Sequence, residues 1–324
     1  MYFIQRIALL TACIAAAAAP AALGQEWPAK PIRVIIPNVA GSVSEPVFRA
    51  VSPTVEAKLG QRFLLENKPG AAGNIGTAEV VRATPDGYTL LLAPTANYAV
   101  TPHLFKDIGY DPLTQLDPIT LLADAPLLTI VNMDVPAKTL KELIDYVRAN
   151  PGKFNYGSPG TGSPAHLTGA FFSQLTGGAL VYVPYKGTPP MVQALVANDI
   201  QVVFPTLTGV ISLIKAGRLK ALAVMANQRM AELPDVPTSA EAGFPQLRGG
   251  NWWVLSAPHG TSPHIIDRLA SEFRAALALP EAQKRIASVG HVPIGLTPGE
   301  TAVFLKSESA RYKSVVEKGG IKAE

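Results

Sequence analysis

Between positions 158 and 166 the chain reads Ser-Pro-Gly-Thr-Gly-Ser-Pro-Ala-His, after a strand and into a helix. Gly160, Gly162 and Ala165 satisfy the G-x-G-x-x-A spacing of a dinucleotide turn. That chemistry also needs an acid about 20 residues on, at the end of the next strand. The stretch there is Val181-Tyr182-Val183-Pro184-Tyr185-Lys186, with no acid. Two readings stay open, a plain Gly-rich turn and an anion-binding helix N-terminus. The second would use the free peptide N–H groups and serine hydroxyl that converge there.

Three further loops have the same character. They are Asn38-Val39-Ala40-Gly41-Ser42-Val43-Ser44, Pro94-Thr95-Ala96-Asn97 and Pro205-Thr206-Leu207-Thr208. All four fall at the carboxyl ends of expected strands, where open α/β sheets bind ligands. Rich in Ser, Thr, Asn and Gly and poor in charge, they predict a polar cleft for a small anion. Lys186, just after a strand, reads either as a solvated surface lysine or as a contact to that anion.

Catalytic and metal signals are poor. H-E-x-x-H, G-x-S-x-G and G-K-[ST] are absent. No two of the five histidines are spaced as metal ligands on one helix would be. His166 reads as structural or as a neutral hydrogen-bond donor. An exported hydrolase using His166 and Ser163 is the remote alternative. No enzyme, cofactor or metal is expected.

The elements that must position these loops alternate. Strands are expected at 32–36, 62–66, 89–93, 119–131, 154–157, 181–185, 201–204, 219–225 and 252–256. Helices follow most of them. One runs from Ser44 to Leu59 with apolar residues at i+4 spacing, and Pro53 should kink or split it. Thr139 and Glu142, and Thr297 and Glu300, form two capping boxes. Ser163-Pro164 and Ser262-Pro263 place Pro at first helical positions. Trp252 and Trp253, adjacent in a strand, must face opposite sides. The βαβα order argues an α/β class with mostly parallel sheets.

Composition agrees. Hydrophobic residues are 48% and charged residues 16% of the 324, so disorder is excluded and a large core is possible. The net charge of +4 is spread without a basic stripe, which argues against nucleic acid. Residues 1–24 read as a signal peptide: Arg6, an apolar stretch from Ile7, then Pro20 and Ala22-Leu23-Gly24. Leu10-Thr11-Ala12-Cys13 is an alternative lipoprotein site, weakened by the apolar run beyond it. Cleavage after residue 24 leaves 300 of the 324 residues and removes the one cysteine. A soluble protein outside the cytoplasm is expected.

Several blocks, in order, carry a resemblance. They are Trp27-Pro28, the run from Glu66 to Gly76, the run from Thr84 to Leu91, Val183-Pro184-Tyr185-Lys186-Gly187, and the run from Leu233 to Thr238 followed by Glu241-Ala242-Gly243. With these the chain resembles the extracytoplasmic solute receptors of tripartite tricarboxylate transporters, the Bug family. The resemblance implies a two-lobed, type II-like periplasmic binding protein with two interlobe crossings. Lobe one would be 25–125 plus 248–324, and lobe two 126–247. The crossings would be the strand near 121–131 and the strand 252–256.

The resemblance further implies a small carboxylate ligand, permease subunits as membrane partners and a periplasmic location; we expect a monomer. The ligand residues carried over are Asn38, Ala40, Gly41, Ser42 and Ser44, then Thr95 and Asn97. In lobe two they are Ser158, Thr161, Gly162, Ser163, His166, Tyr185, Lys186, Pro205 and Thr206. Two departures matter. The family's first loop is usually P-G-G followed by an acid, where this chain has Ala40-Gly41-Ser42-Val43-Ser44-Glu45. The family's Asp-Asn after a lobe-two strand is Pro205-Thr206 here. The missing Asp favours an amine-free carboxylate, aliphatic or aromatic. A sensory module on the same scaffold is the alternative.

Overall fold

A computed structural model describes residues 27–178 and 180–322. The expected signal peptide and Cys13 lie outside the described residues. The chain builds two sheets. The first has six strands in the order β11-β4-β10-β3-β1-β2, and the second five in the order β7-β6-β8-β5-β9.

The first sheet starts with β1 (Ile32–Ile36), β2 (Phe63–Asn67) and β3 (Thr89–Pro94), all parallel. Alternation assigns their faces. Ile32, Val34, Ile36, Leu90 and Leu92 join one apolar cluster, and Ile35, Leu91 and Ala93 another. Both faces of β3 are covered, which is why Leu90 to Pro94 reads as an unbroken apolar run. The segment expected as one helix from Ser44 is two, α1 (Ser44–Arg49) and α2 (Ser52–Leu59). The break precedes Pro53, which sits in the first turn of α2, where it forfeits no hydrogen bond. A short turn leads into α3 (Asn74–Val81), and a π-type turn at 96–100 into α4 (Thr101–Leu104).

The long strand expected at 119–131 is β4 (Leu116–Pro126) and β5 (Leu128–Asn132), separated at Leu127. There the chain passes from one sheet to the other. It returns at Gly249 into β10 (Gly250–Pro258). The Leu127 N–H donates to Gly249 O at 3.0 Å, so the two passages touch. Outgoing and returning strands run in opposite directions, and β4 and β10 therefore pair antiparallel. With β10 also antiparallel to β3, and the two-residue β11 (Val292–Pro293) antiparallel to β4, the sheet is mixed. This corrects the expectation of mostly parallel sheets; the α/β class itself stands.

The second sheet repeats the mixture. β6 (Phe154–Ser158), β7 (Leu180–Pro184) and β8 (Val202–Val203) are parallel, while β5 is antiparallel to β8 and to β9 (Leu219–Val224). Helices α5 (Leu140–Ala149) and α6 (Pro164–Leu175) cover one face. Helix α7 (Thr188–Val196) and the short α8 (Ile211–Lys215) cover the other. At the start of α5 the Thr139 hydroxyl accepts from Glu142 N–H, but the Glu142 carboxylate takes the Lys138 N–H instead of the Thr139 one. Half of that expected capping box is thus redirected.

After β10 come α9 (Pro263–Leu277), α10 (Pro280–Ser288) and α11 (Pro298–Gly319). The box at Thr297 and Glu300 is complete. Helix α11 serves both sheets. Its Leu305, Tyr312, Val315 and Val316 share a buried cluster with Trp252 of the first sheet and with Leu167 and Ala170 of α6. Gln174 Nε2 donates to Val315 O at 3.1 Å, and Arg311 Nη1 to Arg248 O at 3.1 Å. Trp252 and Trp253 do face opposite sides: both are buried, in different clusters.

Candidate functional site

The β1–α1 loop is a tight turn. Gly41 has φ +78°, a left-handed value that favours glycine. The Ser42 N–H donates to Val39 O at 3.2 Å and the Glu45 N–H to Ser42 O at 3.2 Å. Ala40 and Gly41 are exposed. Asn67 Nδ2 fastens the loop to β2 through Asn38 O at 3.1 Å. Two side-chain atoms stand out: Asn38 Oδ1 and Ser42 Oγ are occluded from solvent and have no hydrogen-bond partner among the described residues.

Three other candidates in this half have their side chains engaged internally. Ser44 Oγ accepts from Trp253 Nε1 at 3.0 Å. Thr95 is fully buried, and its Oγ1 accepts from the Trp252 N–H at 2.9 Å. Asn97 Nδ2 donates to Thr77 Oγ1 at 3.1 Å and lies so close to Gly73 that a Cβ there would collide with it. These side chains bind the loop bases to each other and to the returning strand.

In the other half, Tyr182 organises the candidates, a role the sequence reading missed. Its hydroxyl is 2.9 Å from Ser158 Oγ and 3.5 Å from Thr161 Oγ1. Its ring stacks on His166 at 4.0 Å. The Tyr185 N–H donates to Ser158 O at 3.0 Å, bringing the next turn alongside. Tyr185 is half-buried and Lys186 exposed, and Lys186 makes no ion pair among the described residues. Pro205 is buried, and its carbonyl accepts the Leu128 N–H at 2.9 Å. Thr206 Oγ1 lies 3.5 Å from Thr208 Oγ1.

The Gly160–His166 turn is less open than its sequence suggests. The N–H groups of Gly160, Gly162, Ser163, His166 and Leu167 are all bonded locally. Those of Thr161 and Ala165 are not, among the described residues. Ser163 Oγ donates to Gly160 O at 2.8 Å and accepts the His166 N–H at 3.2 Å. His166 Nδ1 accepts the Gly162 N–H at 3.1 Å, so that nitrogen carries no proton. Burial holds the His166 pKa down at about 4. A nucleophile–base pair needs the serine hydroxyl hydrogen-bonded to the imidazole. Here both groups face other partners, which argues against the hydrolase reading.

The halves meet at two glycines. A Cβ on Gly162 would lie 2.8 Å from Leu104 Cδ1, and one on Gly290 2.5 Å from Thr208 Cγ2. Each pairs a residue of one sheet's region with a residue of the other's. Among the described residues no helix is long and apolar enough to cross a membrane.

Known proteins share this fold. A sequence profile described as "Tripartite tricarboxylate transporter family receptor" matches residues 47–321. Protein BugT of Bordetella pertussis (strain Tohama I) is 34% identical over 297 residues, 91% of each chain. The structure of the periplasmic binding protein BugD is similar with a TM-score of 0.70 and 32% identity, covering 92% of this chain and 100% of that one. MatC from Rhodopseudomonas palustris, solved with bound malate, has a TM-score of 0.70 and 28% identity, covering 90% and 100%. An R. palustris protein solved with adipate has a TM-score of 0.73 and 29% identity, covering 92% and 99%. Profile, relatives and fold agree across nearly the whole chain, and the chain belongs to the tripartite tricarboxylate transporter receptor family.

Proposed function

We propose that this protein is a periplasmic receptor that closes two lobes on a small carboxylate and delivers it to the permease subunits of a tripartite tricarboxylate transporter. The lobes are 25–125 with 248–324, and 126–247, and the leader is removed after residue 24. The observation that carries the reading is Ser42. Its hydroxyl is occluded in the loop after β1 and has no partner among the described residues. A buried polar group left unpaired costs about 1–3 kcal/mol, and a carboxylate oxygen would accept its proton. The N–H groups of Ala40 and Gly41, the Thr161 N–H and hydroxyl, and the Tyr182 and Tyr185 hydroxyls are the other donors. Ser44, Thr95, Asn97, Ser158, Ser163 and His166 hold those donors in place. Lys186 is the nearby cation. Malate and adipate in two relatives fit this chemistry.

The ligand is an amine-free carboxylate, an aliphatic di- or tricarboxylate or an aromatic acid. Pro205 and Thr206 offer no anion to an ammonium group. Donors on both lobes make the closed form the tighter binder, so ligand shifts the open–closed equilibrium toward it.

The test is thermal-shift screening of the mature protein against mono-, di- and tricarboxylates, with Ser42→Ala beside it. A stabilising acid whose effect drops in Ser42→Ala supports the reading. No stabilisation by any acid at concentrations a hundredfold above a micromolar Kd, where about 2.7 kcal/mol is expected, refutes it.

A further inference from the structure

A cavity of about 620 Å³ lies beside the two crossings, and none of its lining residues belongs to the four loops discussed above. That is the size of a small-molecule pocket. Asp124, Trp252 and His291 line it from the first sheet's side, and Phe304 from α11. Met225 and Leu247 line it from the second sheet's side. Arg229, Glu232 and Arg248 are exposed at its rim.

Its inner wall holds unmet polar groups. Asp124 Oδ1, His291 Nε2 and Trp252 Nε1 are occluded and have no hydrogen-bond partner among the described residues. His291 Nδ1 lies 2.6 Å from Val289 O. A carbonyl only accepts, so the proton sits on Nδ1 and Nε2 bears a lone pair. Two of the three groups are therefore acceptors.

The charges point the same way. Glu308 is paired with Arg311 at 2.7 Å, and Arg229 with Glu241 at 2.9 Å. Asp124 has no ion-pair partner among the described residues. Trp252, 1% exposed, adds an aromatic wall of the kind that attracts cations, and Met225, Leu247 and Phe304 an apolar one.

We propose that this cavity binds a small organic ammonium ion, with Asp124 as its counter-ion. An ammonium head brings only donors, matching the unmet acceptors, and its apolar body covers the Met225, Leu247 and Phe304 wall. The state of Asp124 fits. Burial, and then the charge of Glu308, push its pKa up to about 7, against the Ala125 N–H and Arg311. A bound cation relieves that cost. His291, Tyr312 and Arg248 are the other titratable or charged groups nearby. This site is independent of the carboxylate reading.

The experiment is thermal unfolding of the mature protein at pH 8 with n-butylammonium or benzylammonium, against n-butanol and benzyl alcohol at matched ionic strength. The amines should raise Tm saturably by about 2–5 °C, and the alcohols should not. The shift should vanish in Asp124→Asn. It should also vanish in Ser307→Trp, which plugs the rim from an exposed position on α11 and leaves Asp124 in place. Equal shifts by amines and alcohols, no shift by either, or an amine shift that survives both substitutions would overturn the proposal.

Discussion

Trp253 donates its indole N–H to Ser44 Oγ at 3.0 Å, across 209 positions of sequence. The returning strand is thereby tied to the base of the β1–α1 loop. Both side chains are buried, so water cannot replace the bond. Ser44→Ala should lower stability by about 1–3 kcal/mol, measured by urea unfolding. Carboxylate affinity should change less than in Ser42→Ala, because the Ser44 hydroxyl serves the scaffold. Equal stability of Ser44→Ala and the parent would refute that role.

His166 should stay neutral across the physiological range. Burial lowers its pKa from 6.5 to about 4, and an unfolded chain would bind the proton near 6.5. The unfolded state thus holds more protons between those values. The stabilisation is fully present above pH 6.5 and is lost as pH falls toward 4. His291, also lowered by burial, acts in the same direction. NMR titration of the His166 ring should give a midpoint near 4. A midpoint at 6.5 would show that the stack on Tyr182 does not exclude water.

Gly162→Ala should weaken both fold and binding. The residue has φ +77°, and a Cβ would press on Leu104 from the other half. The left-handed backbone alone costs about 1–2 kcal/mol. Displacing Leu104 also shifts the neighbouring Thr161 donor. Carboxylate affinity should fall about tenfold, equivalent to about 1.4 kcal/mol, by calorimetry.

Gly250→Ala should destabilise the β4–β10 pair. Its φ is ordinary, but a Cβ would run into the Asp124 carboxylate on the paired strand. Opening the β4–β10 pair to make room should cost about 1–3 kcal/mol, read as a lower midpoint in denaturant. A midpoint equal to that of the parent protein would refute the close approach.

Much of the scaffold was legible because its strands are buried on both faces and its helices announce themselves with Pro or capping residues. The break ahead of Pro53 and the box at Thr297 follow from local chemistry. Other features had no local signal. A two-residue strand such as β11 carries no pattern. The strand directions of β4 and β10 depend on where the chain goes between residues 126 and 250. Helix α10 did carry a signal, Pro280 followed by Glu281, that the reading passed over. For the site, loop positions were visible in the sequence, but hydrogen-bond accounts were not. Ser42 and Ser44 look alike on paper; only Trp253, far along the chain, distinguishes the unpartnered hydroxyl from the occupied one.

The position of β10 has a consequence for how the protein comes into being. It lies between β4 and β3 in the first sheet, yet nearly 250 residues precede it. Until it is synthesised, β1, β2 and β3 form one fragment and β4 another, with no bond between the β3 and β4 edges. The sheet cannot close until the chain is four-fifths made, and such long-range pairing is slow. Under the proposed periplasmic location, which requires the chain to be threaded through a membrane before it folds, late closure is an advantage: the part emerging first stays loose enough to pass.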